Sequence, residues 1–337
     1  MPAGWRLRRL LGSPPPSLPR PLFSDWSALA GGVLVVCHPR WRGIRTAAIA
    51  HGEPVVEVAD AAASADALAD RVTAAGVRVV VIHGYPPGSA SLLRRLAQRG
   101  VGTRVVLHSS MAQHGGEAHE AAVVDEVAAL VADGVVDRIG FVKDGMAEVF
   151  EALGYPATWV PNRAPRVEAL EPRDLGAGRT HVGVFAEPFW RKNVVTQLGA
   201  VALLEPARAH VLRRPDVAYL GRLDVVEHGV LPWEDFVRLQ GSVDVNLYVT
   251  LSECYPLSPV ESYLAGVPCL LSRTSSVFRD DADLWELTTV AEADDPRAIA
   301  RAARRLLDRR DEAVVAARGW IDRWETIATE KWRRFTE

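Results

Sequence analysis

From about residue 31 the chain alternates short apolar runs with stretches whose apolar residues recur at helical spacing. That alternation is the mark of βα units and a mostly parallel sheet. The pattern predicts strands over 32–37, 55–58, 77–83, 103–108, 138–142 and 158–160. Within them Val79-Val80-Val81-Ile82 is continuously apolar, as expected where both faces of a parallel strand are covered. Predicted helices between them cover 65–75, 117–131 and 146–153, the last with Met146, Val149, Phe150 and Leu153 on one face.

The rhythm breaks at 161–178, where three prolines and two glycines suit an interdomain linker. It then restarts, with strands predicted over 182–186, 217–220, 243–249 and 268–271, and helices over 194–204, 233–239, 259–265 and 296–307. A helical tail from 311 to 337 carries Trp320, Trp324 and Trp332. Three large aromatics in one terminal helix imply that it docks on something. The economical fold is α/β with two Rossmann-like doubly wound domains, at 26–168 and 169–315. Residues 316–337 pack back on the first domain, and residues 1–25 form a leader without fixed structure.

Composition narrows this only slightly. The 337 residues give room for two cores, and 24% charged residues with a net charge of −3 describe an ordinary globular protein, not a nucleic-acid binder. Cys37, Cys254 and Cys269 share no metal-ligand or disulfide spacing, which fits a reducing cytoplasm. The leader's Arg6, Arg8 and Arg9 allow at most peripheral contact with a membrane.

The most informative stretch is Ser252-Glu253-Cys254-Tyr255-Pro256-Leu257-Ser258-Pro259-Val260-Glu261, continuing to Gly266-Val267-Pro268. An apolar strand ends in a polar loop holding Glu253. A helix is then predicted to start with Ser258 as its cap and Pro259 at its first position, placing Glu261 in the first turn. Free N–H groups at such a helix start can receive a diphosphate. This stretch resembles the E-x7-E signature of family-four retaining glycosyltransferases, with Cys254 in place of the usual glycine and Ser262-Tyr263-Leu264 in place of E-A-M.

The resemblance extends over most of the chain from residue 31. Trp190-Arg191-Lys192-Asn193 falls where that family carries its phosphate-binding cations. The second, earlier arginine is missing from Phe185-Ala186-Glu187. His108-Ser109-Ser110 matches the family's active-site histidine segment, with His83, His114 and His119 as competitors for the role. Gly43 stands in for a two-glycine loop, although an ordinary turn would also account for it.

The resemblance implies the GT-B fold, with a deep interdomain cleft and a C-terminal crossover helix. It implies sugar transfer from a nucleotide diphosphate with retention and without a metal or other cofactor. The acceptor could be a glycan, a lipid-linked sugar or a small natural product. Glu253 and His108 are then the catalytic candidates: Glu253 on the sugar hydroxyls, His108 orienting or deprotonating the acceptor. Arg191, Lys192, Tyr255, Pro256, Leu257, Glu261 and Gly43 would hold the nucleotide sugar, with Glu261 on the ribose. The acidic run Asp280-Asp281-Ala282-Asp283 reads as a solvated loop. The alternative is a catalytically degenerate GT-B module that binds glycan or nucleotide, or serves as a partner subunit. A dehydrogenase is disfavoured because no G-x-G-x-x-G follows the first strand.

Overall fold

The computed structural model describes residues 19–167 and 170–337. Arg6, Arg8 and Arg9 of the leader lie outside the described residues. Its last part belongs to the first domain, because β1 (Arg20–Pro21) pairs antiparallel with the edge strand β3.

The first sheet is formed by β1, β2 (Val33–Cys37), β3 (Val55–Glu57), β4 (Val79–His83), β5 (Gly102–Leu107), β6 (Arg138–Phe141) and β7 (Ala157–Trp159), in the order β1-β3-β2-β4-β5-β6-β7. All pairings but that of β1 are parallel. Connecting helices are α1 (Arg42–Ala50), α2 (Ala65–Ala74), α3 (Ser89–Gln98), α4 (Met111–Gly116), α5 (Ala118–Ala132) and α6 (Met146–Ala152). The strands are buried along nearly their whole length, so their side chains fill cores on both faces.

The second sheet contains β8 (Thr180–Val184), β9 (Ala207–Val211), β10 (Val225–Glu227), β11 (Val245–Tyr248), β12 (Cys269–Ser272) and β13 (Thr289–Val290), ordered β10-β9-β8-β11-β12-β13. It is wholly parallel. Numbered within the domain the order is 3-2-1-4-5-6, the doubly wound order whose switch point falls between β8 and β11. Its helices are α7 (Val194–Ala202), α8 (Trp233–Gln240), α9 (Leu257–Leu264), α10 (Ala282–Thr288) and α11 (Pro296–Asp308).

Two sequence expectations fail here. Residues 217–220 form no strand, since Ala218–Arg222 turn as a 3₁₀ helix and β9 and β10 supply that side of the sheet. The acidic run is structural. Asp281 caps α10 by accepting from the Leu284 N–H, and Asp280 accepts the Trp320 indole N–H at 2.6 Å.

The helix α12 (Arg310–Thr336) runs unbroken from the second domain to the first. Trp320 packs edge-on against Phe278, and Trp324 stacks on Trp320 and Tyr255 while donating to the Asn162 carbonyl. Farther on, Trp332 lies flat on His51 at 3.7 Å. Phe335 reaches β6 at Gly140, where a Cβ would stand 2.9–3.1 Å from Val160, Phe335 and Val106. Only glycine admits that approach. Arg78 donates to the carbonyls of Thr336 and Glu337, and Arg138 to that of Arg334, placing two cations at the negative end of the helix dipole.

Candidate functional site

The C-terminal ends of both parallel sheets meet where the domains face each other, and parallel α/β sheets bind ligands at such ends. On the second domain, β8 leads into the 3₁₀ turn Trp190–Lys192, which Asn193 closes at φ 56°. Asn193 donates to the carbonyls of Val249 and Ala293, and Gln197 of α7 accepts the Val249 N–H at 2.9 Å. These bonds fasten the turn to the end of β11 and so fix Lys192 at the switch point. There the Lys192 ammonium bonds the Glu253 carboxylate and the Tyr248 hydroxyl, which itself donates to Glu253 at 3.0 Å. Arg191 stands 3.8 Å from the same carboxylate and 3.4 Å from Glu117 of the first domain. Burial alone would raise the Glu253 pKa, but Lys192, Arg191 and the Cys254 N–H outweigh it and hold the carboxyl below its ordinary value.

The helix after Glu253 begins two residues earlier than its sequence suggests. Leu257 is its first residue, Pro256 precedes it, and no side chain caps it. Ser258 is therefore not the cap, Pro259 lies inside the first turn, and Glu261 falls beyond that turn. Glu261 is 4% exposed, and among the described residues its carboxylate accepts no hydrogen bond. Burial pushes its pKa up to about 7, and Arg42 of the first domain offsets this only in part. Tyr255 departs from the expected role. Its ring is buried against Trp324 beneath the loop, its hydroxyl has no partner, and its carbonyl accepts from Asn162, so the side chain presents no face to a nucleotide sugar. Pro256 and Leu257 are likewise buried, leaving only backbone for contact.

On the first domain, His108 follows β5 and His83 ends β4, with the two imidazoles bonded at 2.9 Å. Burial lowers the His108 pKa to about 4, with Glu253 acting weakly in the opposite sense. Of its competitors, His114 bonds the Ser109 hydroxyl, and His119 is exposed on α5. Gly43 lies in the first turn of α1 with open space where a Cβ would stand. It is neither a tight loop nor a turn, and nothing local requires glycine.

The domains touch directly at these strand ends. The hydroxyls of Ser110 and Ser252 bond at 2.7 Å, the Cys254 thiol lies 3.2 Å from the His108 carbonyl, and Lys143 donates to the Thr274 carbonyl. The structure thus brings His108, Arg191, Lys192, Glu253 and Glu261 to one junction. Sequence reading missed four neighbours there. Arg42 lies over the Phe236 ring at 4.5 Å and next to Glu261, while Tyr248, Lys143 and Ser252 complete the set. A tyrosine closing the strand five residues before Glu253 was the readable signal. Among the described residues no group of three or more His, Cys, Asp or Glu side chains is placed to hold a metal ion, and no helix is long and apolar enough to cross a membrane.

Solved structures share this architecture across nearly the whole chain. Sucrose-phosphate synthase from Thermosynechococcus elongatus matches with a TM-score of 0.63 at 15% identity, over 90% of this chain and 98% of that one. The trehalose-6-phosphate protein from E. coli bound with UDP-2-fluoro glucose matches at 0.62 and 12% identity, with the same two coverages. So does the UDP-forming α,α-trehalose-phosphate synthase from Burkholderia xenovorans in complex with glucose-6-phosphate. The chain has a GT-B fold. No protein-family model matches the sequence, and no curated protein matches it. In this GT-B chain the long helix α12 joins the two domains, and the charged groups cluster on the second domain's side of the junction.

Proposed function

We propose that the protein is a retaining glycosyltransferase that moves a sugar from a nucleotide diphosphate to an acceptor hydroxyl. The observation that carries this reading is Glu261, 4% exposed with no hydrogen-bond donor to its carboxylate, one helical turn behind an uncapped helix start, on the helix that follows Glu253 of the Lys192–Glu253–Tyr248 cluster. The Glu261 oxygens are not sealed from solvent, so ligand hydroxyls can reach them and supply the missing hydrogen bonds. A ribose diol suits Glu261, and the diphosphate suits Arg191, Lys192 and the first-turn N–H groups of α9.

The step breaks the bond between the anomeric carbon and the phosphate oxygen. The leaving diphosphate keeps the electron pair while the acceptor hydroxyl attacks from the same face and passes its proton to the departing phosphate oxygen. Cations and helix N–H groups stabilise the charge that develops on the leaving group. Glu253, held ionised by Lys192, is placed to bind the sugar as it becomes cationic. Lys192 cannot serve a phosphate and Glu253 at full strength together, so binding must redistribute this ion pair. Neighbours of this fold bind UDP-2-fluoro glucose and glucose-6-phosphate, which supports a UDP-sugar and a phosphorylated or free sugar acceptor as first compounds to assay.

The test is turnover of a panel of nucleotide sugars with sugar and sugar-phosphate acceptors, in the presence and absence of a chelator. Release of nucleotide diphosphate unaffected by chelation is expected. Loss of turnover restored by magnesium or manganese would reject metal independence. Binding of nucleotide sugar with neither transfer nor hydrolysis would favour the degenerate binding module, a reading to which the burial of Tyr255 and the helical setting of Gly43 lend some weight.

A further inference from the structure

Three imidazoles run in a row through the first domain to the junction. His51 closes α1, His83 ends β4 and His108 follows β5. Nε2 of His51 lies 3.2 Å from Nε2 of His83, and Nδ1 of His83 lies 2.9 Å from Nε2 of His108. Burial pushes all three pKa values below that of ordinary histidine, so the rings are neutral near pH 7. A neutral imidazole has one N–H and one lone pair. Each gap in the row takes one N–H, and the middle ring has only one to give. The three tautomers are therefore locked together, and the third N–H stands at one end, on Nδ1 of His51 or on Nδ1 of His108.

The two ends differ. Nδ1 of His51 is sealed from solvent and has no partner, so a proton there would be an orphaned donor. Arg163 donates to the His51 carbonyl at 2.8 Å and brings positive charge to this end. Its ion pair with Glu325 does not cancel that effect on the ring. At the other end, Nδ1 of His108 has no partner among the described residues and is not sealed. Here the nearby charge is the Glu253 carboxylate. A cation at the His51 end and a carboxylate at the His108 end favour every N–H pointing toward the junction.

We propose that His51 and His83 are positioning residues that fix His108 as its Nδ1–H tautomer, so that it offers a hydrogen-bond donor rather than a base to an oxygen of the nucleotide sugar. The ligand part of this proposal rests on the transferase reading above. Proton balance supports the donor role. Were His108 to release its Nδ1 proton and draw a replacement along the row, His51 would be left with none. The row therefore orients an N–H and relays nothing.

The first test is a long-range ¹H–¹⁵N spectrum of the wild-type protein labelled at histidine. The expected forms are Nε2–H at His51, Nδ1–H at His83 and Nδ1–H at His108. An Nε2–H or doubly protonated His108 at pH 7 overturns the proposal, whatever the protein's activity. The second compares His108→Asn, whose amide nitrogen falls near the place of Nδ1, with His108→Gln, whose amide reaches toward Nε2. Asn should keep kcat within about tenfold of wild type, while Gln and Ala lose on the order of a hundredfold or more. Equal losses in Asn and Gln, the result for a base, overturn it. Wild-type protein that turns over no nucleotide sugar sinks the transferase reading, and the spectrum still decides the tautomer.

Discussion

Each domain contains a row of three histidines, and the two rows end differently. In the second domain His181 Nδ1 faces His210 Nε2 at 2.9 Å, and His210 Nδ1 faces His228 Nε2 at 2.9 Å. Its inner end is settled by an obligate acceptor, because His181 Nε2 meets the Gly176 carbonyl at 3.0 Å and must hold the proton there. Every later N–H then points back toward Gly176, and the row finishes at the outer strand β10 with a lone pair. No carbonyl settles the first-domain row, whose direction is left to charge and to the sealed Nδ1 of His51. Identical side chains in similar geometry thus become a stabilising staple in one domain and a directed N–H in the other, according to what terminates them.

The largest effect that sharpens this contrast concerns a carboxyl neutralised by the same burial that neutralises the rows. Glu261 has a folded pKa near 7, raised above its unfolded value. The folded state thus holds a proton that the unfolded state has lost, and stability contributed by this group declines from about pH 4.5 to 7. Glu261→Gln should therefore be more stable than wild type above pH 7, by on the order of 3 kcal/mol, with no difference below about pH 4.5. Thermal unfolding against pH decides it, and a gain that persists unchanged at acid pH would contradict the burial argument. Nucleotide diphosphate should bind this variant more weakly if the ribose reading is correct.

Next in size, Lys192→Ala should weaken nucleotide diphosphate binding by about 1.5–3 kcal/mol. Titration calorimetry showing unchanged affinity would leave Lys192 as a partner of Glu253 alone. A direct comparison of the rows follows. His83→Leu unfixes the His108 tautomer and should lower kcat about tenfold with little change in KM. His210→Leu should leave kcat at the wild-type value. Burial lowers the His210 pKa to about 4, so the unfolded state binds a proton that the folded state lacks, and stability rises with pH from 4 to about 6.5. Removing His210 should flatten that rise by one proton. Equal kinetic losses in both variants would erase the distinction between the rows.

The smallest effect is at Gly43, on the helix whose end carries His51. With open space for a Cβ, Gly43→Ala should stabilise the fold by up to about 1 kcal/mol. A matching loss of nucleotide-sugar binding would show that the ligand passes over this backbone.

Periodicity alone placed β2 to β8, β11 and β12 to within a few residues, because fully buried parallel strands must be apolar runs. It missed β9, where Ala207-Arg208-Ala209-His210-Val211 hides a strand behind polar residues that the sheet neutralises with Asp224 and neighbouring histidines. It also missed α1, whose apolar face is mostly alanine. The acids of the E-x7-E stretch and the Arg191-Lys192 pair were readable because strand, loop and helix start follow one another within a single segment.

The sequence by itself determined most of the buried strands and their following helices, since local period and turn residues act over a few positions. It determined as well the residue types that reach the strand ends. Tertiary structure alone decided that Tyr255 turns inward onto Trp324, that Arg42 crosses to Glu261, and that His51, His83 and His108 share one line of hydrogen bonds. These relations join residues far apart in the chain, and their protonation depends on burial and on charges that come close only once both domains and α12 are packed.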